Sequence, residues 1–327
     1  MMKAKIAGIG SYVPKKILTN SDMEKIVDTS DEWIRKRTGI VKRRIASDKE
    51  ITSTLAIRAA KKALSNSNIK GQDLELIILS TINPDRLFPA TACIIQEEFS
   101  ANKAAAFDIS ATCSGFIYAI SIAEQYIRNG TYRNVLVVAS ELVSRVIDWT
   151  DRSTCVLFGD AAGAVVLQPT DNKFTGILKV LIHSDGRYAD LITTMGGGSL
   201  YPPAYETIDQ KLHFIKMNGK KTFKIAIQSM EEIANKIITG SGYKFDDINL
   251  LICHQANKRI IDAVANAIGF PQTKVYVNID EYGNTSSASI PLALDEAIKH
   301  KRLKRGDLVL LLAFGGGLTC GAALIRL

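Results

Sequence analysis

Short apolar runs alternate along the chain with segments in which apolar residues recur every three or four positions. The run at 73–79, DLELIIL, follows a segment with helical periodicity at 55–64, and the run at 247–253, DINLLIC, follows another at 225–238. Buried parallel strands have continuous apolar sequences, whereas amphipathic helices show the longer period. The pattern therefore predicts an α/β protein in which strands and helices alternate.

The same order of elements occurs twice. The two apolar runs begin at residues 73 and 247, an offset of 174 positions. Two further pairs follow in the same order and resemble each other segment by segment: 106–140 with 276–314, and 156–169 with 311–327. Three ordered correspondences indicate an internal duplication. We expect two homologous halves, 1–170 and 171–327, each a βαβ-type layer with a largely parallel buried sheet.

The most informative junction lies at 104–128, where an apolar run ends in small polar residues and a helical pattern begins after Cys113. This order predicts a strand, a tight turn and a helix, with the sulfur at the helix N-terminus. The unpaired N–H groups and partial positive charge there stabilise a thiolate and can bind an oxyanion. An inert buried cysteine is the commoner alternative, and this stretch alone does not separate the two.

Polar residues follow the strand runs of the second half at corresponding places. His254 comes directly after LLIC, and Asn284 follows Gly283, which permits an unusual turn. Ligands of such sheets bind beyond the carboxyl ends of the strands. Packing the halves face to face would bring Cys113, His254 and Asn284 to one cleft, with Asn284 and Thr285 opposite Cys113. A turn or capping asparagine is the alternative for Asn284.

Two chemistries fit a cysteine, a histidine and an asparagine. In a protease-like triad the histidine deprotonates the cysteine and the asparagine orients the histidine. In the other chemistry, the imidazole and the amide donate hydrogen bonds. The glycines of FGGGLTCGA (314–322) favour the second, because their backbone can approach a substrate closely. Gly316 and Cys113 N–H groups would form one oxyanion hole, and His254 Nε2–H with Asn284 Nδ2–H another, which suits acyl transfer to carbon.

Composition and charge restrict the function classes. Of 327 residues, 46% are hydrophobic and 23% charged, and no apolar run approaches the roughly 20 residues of a membrane helix. There is no signal-peptide pattern, and the five cysteines form no CxxC pair, so we expect a cytoplasmic protein without disulfides or structural zinc. The net charge of +8 fits nucleic acid, a phosphorylated ligand or an acidic protein partner, but no nucleic-acid module accompanies it.

Taken together, the motifs resemble the thiolase-fold condensing enzymes, and within them the β-ketoacyl-acyl-carrier-protein synthase III family, over essentially the whole chain. The matching segments, in the order typical of the family, are TSDEWIRKRTGI (29–40), FPAT (88–91), DISATCSGF (108–116), TDRST (150–154), FGDAAGA (158–164), HQANKRI (254–260), GNTSSASIP (283–291) and FGGGLTCGA (314–322). The His and Asn pair is similar to the initiating subgroup. The resemblance implies a thiolase-like fold, layered as an α-β-α-β-α sandwich.

The resemblance implies a decarboxylative Claisen condensation that initiates fatty acid biosynthesis. Cys113 would take an acyl group, acetyl by default, from acyl-CoA as a thioester. Malonyl-acyl carrier protein would then lose CO₂, and His254 and Asn284 would stabilise the resulting enolate as it attacks the acyl carbonyl. Neutral donors in a dry pocket suffice for this step, so neither a metal nor a resident cofactor is implied, and coenzyme A enters as part of a substrate.

Binding roles follow from the same resemblance. For coenzyme A, the adenine would lie between Trp33 and Arg152, and Arg37 would contact a phosphate. Asn257 would contact pantetheine, and Thr29 and Phe223 would line the same tunnel. Phe88 would close the acyl pocket of a partner subunit in a homodimer. Lys224, Gln255 and Arg259 would face the acidic carrier protein, which gives the positive charge a function.

Two features depart from the family pattern. Cys320 stands where the family often has tryptophan, and 185–210 is a long irregular stretch expected to support the dimer or the tunnel mouth. One alternative function is that of a specialised relative that makes a secondary metabolite or hydrolyses the acyl-enzyme. The other is a non-enzymatic protein that binds nucleic acid. The sequence does not determine the length or branching of the acyl primer.

Overall fold

The computed structural model describes residues 2–327. The strands are β1 (Lys3–Tyr12), β2 (Lys16–Thr19), β3 (Lys42–Ile45), β4 (Leu76–Ser80), β5 (Ala105–Ile109), β6 (Val135–Leu142), β7 (Asp160–Thr170), β8 (Gly176–Ser184), β9 (Ile192–Thr193), β10 (Lys216–Met217), β11 (Leu250–Cys253), β12 (Leu308–Gly315) and β13 (Thr319–Arg326). The helices are α1 (Asn20–Met23), α2 (Asp31–Thr38), α3 (Thr52–Ser67), α4 (Thr91–Glu98), α5 (Gly115–Arg128), α6 (Arg152–Cys155), α7 (Tyr205–Asp209), α8 (Gly219–Thr239), α9 (Lys258–Ala267), α10 (Ile279–Tyr282) and α11 (Ser289–Lys299). Short 3-10 helices include Thr112–Ser114 and Ser286–Ala288.

Two mixed sheets form the framework. In the first, with the order β1-β7-β6-β4-β5, the strands β6, β4 and β5 are parallel, and β7 runs antiparallel to β6 and β1. In the second, β11-β12-β13-β8, only β11 and β12 are parallel. The prediction of largely parallel sheets is therefore wrong. Strand β13 follows β12 after only residues 316–318, which is too short for a crossover connection and enforces an antiparallel return.

The helices form three layers around these sheets. Helices α5 and α11 lie between them, since α5 contacts β6 and β4 on one side and β8 and β13 on the other, and α11 contacts both β7 and β11. Helices α3 and α4 cover the outer face of the first sheet, and α8 and α9 cover that of the second. The resulting α-β-α-β-α order is the expected thiolase fold. Among residues 2–327, no helix combines the length and apolarity needed to cross a bilayer.

The two sheets repeat one topology. The order and directions of β1-β7-β6-β4 match those of β8-β13-β12-β11, and the place of β5 is taken by a parallel bridge between Leu251 and Val275. The first sheet uses strands up to residue 170, and the second uses strands from residue 176 onward. The division into homologous halves, 1–170 and 171–327, stays a prediction with which this arrangement agrees.

Two corresponding turns meet at the centre of the molecule. The 3-10 helix Thr112–Ser114 places Cys113 between β5 and α5, as predicted, and the 3-10 helix Ser286–Ala288 precedes α11 in the same way. The two turns are in contact. Each contains a non-glycine residue in the left-handed region, Thr112 with φ 46° and Ser286 with φ 49°. Such backbone is uncommon and persists where the surrounding structure enforces it.

Candidate active site

A cavity of about 860 Å³ has Cys113, His254 and Asn284 in its wall. Cys113 comes from the turn before α5, His254 from the residue after β11, and Asn284 from the turn that leads to α11. The structure thus brings together the three side chains that the duplication predicts at one cleft. Their catalytic roles stay a prediction.

Burial controls the ionisation of Cys113. Burial raises the pKa of the Cys113 thiol, Ser286 lowers it and the Glu141 carboxylate adds to the rise, so that the pKa is about 12 in all. Desolvation therefore acts against the stabilisation that the helix N-terminus gives a thiolate. The thiolate expected at this turn stays a prediction.

His254 is a neutral donor whose tautomer is set by Ser289. The ring Nδ1 lies 2.7 Å from Ser289 Oγ, and that oxygen accepts the N–H of Gln255 at 3.3 Å. We assign the serine hydrogen to Nδ1, which leaves the ring proton on Nε2. Nε2 is buried and has no partner in the described residues. Burial lowers the pKa of His254 to about 3, so the imidazole stays uncharged.

The amide of Asn284 is oriented by its own turn. Its Oδ1 accepts the N–H of Ser286 at 2.9 Å, so Nδ2 is the group left for the cavity. The main chain is fixed on both sides, because Asn284 N–H donates to Leu157 O and the N–H of Gly159 donates to Asn284 O. Gly283 before it has φ 66°, and a Cβ there would lie 2.8 Å from Leu157 O, which confirms the predicted unusual turn.

The glycine-rich end of β12 meets the cysteine turn directly. A Cβ on Gly315 would lie 2.1 Å from Thr112 Oγ1 and 2.8 Å from Cys113 N, so only glycine permits this contact. Thr112 Oγ1 donates to Gly316 O at 3.1 Å, and Gly316 lines the cavity. The sequence analysis singled out Gly316 and missed the role of Gly315, which makes the closest approach.

The residues assigned to coenzyme A are found at and near the cavity. Those in its wall are Trp33, Arg37, Phe223 and Asn257. The Arg152 guanidinium lies outside it, 5.1 Å from the centre of the Trp33 ring, and donates to Asp28 O at 2.8 Å. Thr29 adjoins this pair, and its buried Oγ1 has no partner in the described residues. Trp33 and Arg152 are therefore neighbours in the structure, and their contact with an adenine stays a prediction.

Asn257 has a structural role that the sequence analysis did not predict. Its Oδ1 accepts the N–H of Arg259 at 2.9 Å and caps α9, while its Nδ2 donates to Arg37 O at 3.0 Å. Both polar atoms are thus engaged within the protein. The side chain fixes the position of Arg37 relative to α9, and its contact with pantetheine stays a prediction.

The three residues assigned to a carrier protein differ in exposure. Lys224 and Arg259 are exposed, and the Arg259 guanidinium lies 5.3 Å from the centre of the Phe223 ring at the cavity. Gln255 is only 1% exposed. Its Nε2 donates to main-chain oxygens of residues 253 and 276, and its Oε1 accepts the N–H of residue 278. The prediction that Gln255 faces a carrier protein is wrong, because its side chain is a buried brace beneath His254.

Phe88 does not line the cavity of its own chain. Its side chain is 83% exposed, and the neighbouring Leu87 is 82% exposed. Residues 192–194, within the long irregular stretch, do line the cavity. Among residues 2–327, no group of three or more His, Cys, Asp or Glu side chains is arranged to hold a metal ion.

A five-layered fold with a cysteine at a helix start, faced by a neutral imidazole and an amide, defines a thiolase-fold condensing enzyme. Two family models match, 3-oxoacyl-[acyl-carrier-protein] synthase III over residues 107–186 and its C-terminal domain over 238–327. The chain belongs to the β-ketoacyl-[acyl-carrier-protein] synthase III family.

Relatives of known name and structure agree with this assignment. The proteins named β-ketoacyl-[acyl-carrier-protein] synthase III from Caldanaerobacter subterraneus subsp. tengcongensis and Aquifex aeolicus are each 49% identical over 99% of this chain, which covers 97% and 100% of their lengths. The crystal structure of the 3-oxoacyl-[acyl-carrier-protein] synthase III from Aquifex aeolicus VF5 superposes with a TM-score of 0.92, and the match covers 99% of this chain and 100% of that one. A Thermus thermophilus structure, at 40% identity and with 99% of each chain covered, has the same TM-score. The family, fold and acyltransferase class expected from the sequence are confirmed.

Proposed function

We propose that this enzyme condenses an acyl-CoA primer with malonyl-acyl carrier protein, with loss of CO₂, and so initiates fatty acid biosynthesis. The observation that carries the proposal is the cavity in which Cys113 is faced by two neutral donors, His254 and Asn284. Acetyl is the default primer. The five cysteines are free, which fits a cytoplasmic enzyme.

In the first half-reaction, Cys113 Sγ attacks the thioester carbonyl of acyl-CoA. The oxyanion is stabilised by the N–H groups of Cys113 and Gly316, and its collapse expels coenzyme A as the thiolate. The acyl group remains on the sulfur as a thioester. Access to both N–H groups depends on the close approach at Gly315.

In the second half-reaction, the malonyl thioester oxygen is bound by His254 Nε2–H and Asn284 Nδ2–H. Loss of CO₂ places negative charge on that oxygen, and oriented donors stabilise the charge without reorganising. The carbanion carbon attacks the acyl carbonyl, the bond from that carbon to the Cys113 sulfur breaks as the tetrahedral intermediate collapses, and the sulfur leaves as a thiolate that takes up a proton. The Phe314 ring, with its centre 5.8 Å from that of the His254 ring, keeps the pocket wall apolar.

We propose that coenzyme A binds along one wall of the cavity and that no resident cofactor takes part. Trp33 and Arg152 would hold the adenine between a ring and a guanidinium, and Arg37 would contact a phosphate. The pantetheine arm would pass the residues Phe223, Asn257 and Thr29.

Mass spectrometry of the intact protein tests the proposed function. After incubation with a mixture of acyl-CoAs, we expect one acyl group per chain, located on Cys113 by peptide mapping. Addition of malonyl-acyl carrier protein should release it as a β-ketoacyl-carrier product. Absence of any acyl adduct, or release as the free acid alone, would contradict the proposal.

A basic patch at the cavity mouth is proposed to bind the acidic carrier protein. Reversing two of its charges, Lys224→Glu with Arg259→Glu, is expected to raise the KM for malonyl-acyl carrier protein about tenfold or more and to leave kcat within about threefold. Lys301→Glu, at the far end of α11, is the control for charge alone. An equal rise in KM for the control would contradict a local docking site.

We propose that the enzyme is a homodimer and that Phe88 enters the acyl pocket of the partner subunit. An exposed pair of large apolar side chains, Leu87 and Phe88, supports an interface there. Phe88→Asp is expected to shift the protein from dimer to monomer in light scattering, whereas Phe174→Asp, at an equally accessible apolar residue that is 74% exposed, should not. A dimer that persists in Phe88→Asp would contradict the assignment.

A further inference from the structure

Glu141 is a buried carboxyl group that the mechanism above does not use. It lies near the end of β6, in an otherwise largely apolar strand, and is fully buried. Its Oε1 accepts the hydroxyls of Ser286 (3.1 Å) and Ser287, and its Oε2 accepts the N–H of Ile82 at 3.1 Å. All three partners are neutral. An isolated buried carboxylate is costly, so its presence next to the nucleophile calls for a function.

Ser286 connects this carboxyl group to the nucleophile. Its hydroxyl donates to Glu141 Oε1 at 3.1 Å. Cys113 and Ser286 line the cavity together, and their turns are in contact. Ser287 bonds the same carboxyl oxygen but is not in the cavity wall. Ser286 is thus the side chain of the cavity wall that joins the turn of the nucleophile to the buried carboxylate.

A proton transfer from Cys113 to Glu141 avoids a second negative charge in the buried cluster. Ionising Cys113 while Glu141 is a carboxylate would place two negative charges in one buried cluster, and each raises the pKa of the other. Moving the thiol proton to Glu141 keeps the total at one. His254 is not available as the acceptor, because its Nε2 already carries a hydrogen and its Nδ1 is bonded to Ser289.

We propose that Glu141 accepts the proton of Cys113 through the Ser286 hydroxyl when the enzyme is acylated, an inference that rests on the proposed function. The S–H proton passes to Ser286 Oγ as the hydroxyl hydrogen passes to Glu141 Oε1, and the freed sulfur pair forms the bond to the acyl carbon. When the oxyanion collapses, the carbon–sulfur bond to coenzyme A breaks. The proton returns through Ser286 to the departing thiolate, which leaves as the thiol, and Glu141 is again a carboxylate.

The titratable group that faces Glu141 is Cys113. Charged residues on the elements packed against β6 have partners of their own: Arg58 of α3 with Glu50, Glu124 of α5 with Arg128, and Asp160 of β7 with Ser144. Burial raises the pKa of Glu141 to about 7, while the serine hydroxyls oppose this shift. Glu141 is therefore able both to take and to return a proton near neutral pH.

Three variants test the relay: Glu141→Gln, Ser286→Ala and, as the matched control, Ser140→Ala, which removes a buried hydroxyl of β6 that donates to Thr52 O and not to the carboxyl group of Glu141. In rapid-quench acetylation by acetyl-CoA at pH 7, the first two are expected to be slowed about 100-fold and the control less than about threefold. Ser286→Ala keeps the main-chain N–H that orients Asn284, so decarboxylation of malonyl-acyl carrier protein should persist. The wild-type acetylation rate should rise as pH passes 7 and Glu141 loses its proton, and Glu141→Gln should lack this rise.

Alkylation by iodoacetamide separates a relay from damage to the fold. Above pH about 9, Glu141→Gln should be alkylated at Cys113 as fast as wild type or faster, because removal of a nearby negative charge lowers the pKa of the thiol. A merely structural defect would not slow acetylation while sparing alkylation. Acetylation of both test variants within about threefold of Ser140→Ala would overturn the relay. Failure of wild type itself to form an acyl-enzyme would instead overturn the proposed function.

Discussion

Cys113→Ala is expected to abolish acyl-enzyme formation while the variant continues to decarboxylate malonyl-acyl carrier protein within about tenfold of the wild-type rate. The first effect follows because the variant lacks the thiol that would form the thioester, and the hydroxyls in the cavity wall are much weaker nucleophiles. The second follows because the donors for decarboxylation have supports of their own, Ser289 for His254 and the main chain of Ser286 for Asn284. Intact-protein mass spectrometry measures the first step, and release of CO₂ measures the second.

The matched control for this experiment is Cys93→Ala, which removes another partly accessible cysteine outside the cavity wall. It is expected to acylate and condense like wild type. Loss of decarboxylation together with acylation in Cys113→Ala, in a protein of normal thermal stability, would show that the two donor sites are not independent. Acylation of Cys113→Ala would place the nucleophile elsewhere.

Asn284→Ala should separate the two half-reactions in the opposite sense. Acyl transfer to Cys113 is expected to stay within about threefold of wild type, whereas condensation should fall by about 100- to 1,000-fold, the usual loss on removing one oxyanion donor. The acyl-enzyme should therefore accumulate in the variant during turnover. Stopped-flow acylation and product formation from malonyl-acyl carrier protein measure the two rates separately.

Asn284→Asp makes the same test without a change of shape. The carboxylate keeps an acceptor for the N–H of Ser286 but replaces the donor with a negative charge beside the enolate oxygen. Condensation should be lost at least as completely as in the alanine variant. Equal losses of acylation and condensation in either variant would contradict two separate donor sites.

The sequence predicted the parts of the fold and site that depend on local pattern and on duplication. The turn at Cys113 follows from an apolar run that stops at small polar residues before a helical period, and the structure has strand, turn and helix there. The offset between the two repeats predicted, from sequence position alone, that Asn284 lies opposite Cys113. The first prediction depends on features within a few residues of Cys113, and the second depends on the match between the two repeats.

The errors concern properties that only packing determines. Strand direction in β7 and β13 depends on how the chain returns to its sheet, which an apolar run does not encode. Gln255 lies in a polar segment after β11, yet the residues it braces come from another part of the chain. Packing also determines the burial that raises the pKa of Cys113, an influence that the helix start considered alone does not include. Glu141 gave only one signal, a charge in a largely apolar strand.

The contact at Gly315 has a consequence for the balance between stability and activity. A glycine within a strand lowers the stability of the fold by roughly 0.5–1 kcal/mol relative to alanine, so Gly315 makes β12 less stable than an alanine at that position would. Selection for stability alone would favour alanine at this position. One methyl group there would push apart the segments that carry Cys113 and Gly316, whose N–H groups are proposed to bind the reacting oxygen, so glycine is the residue compatible with that function.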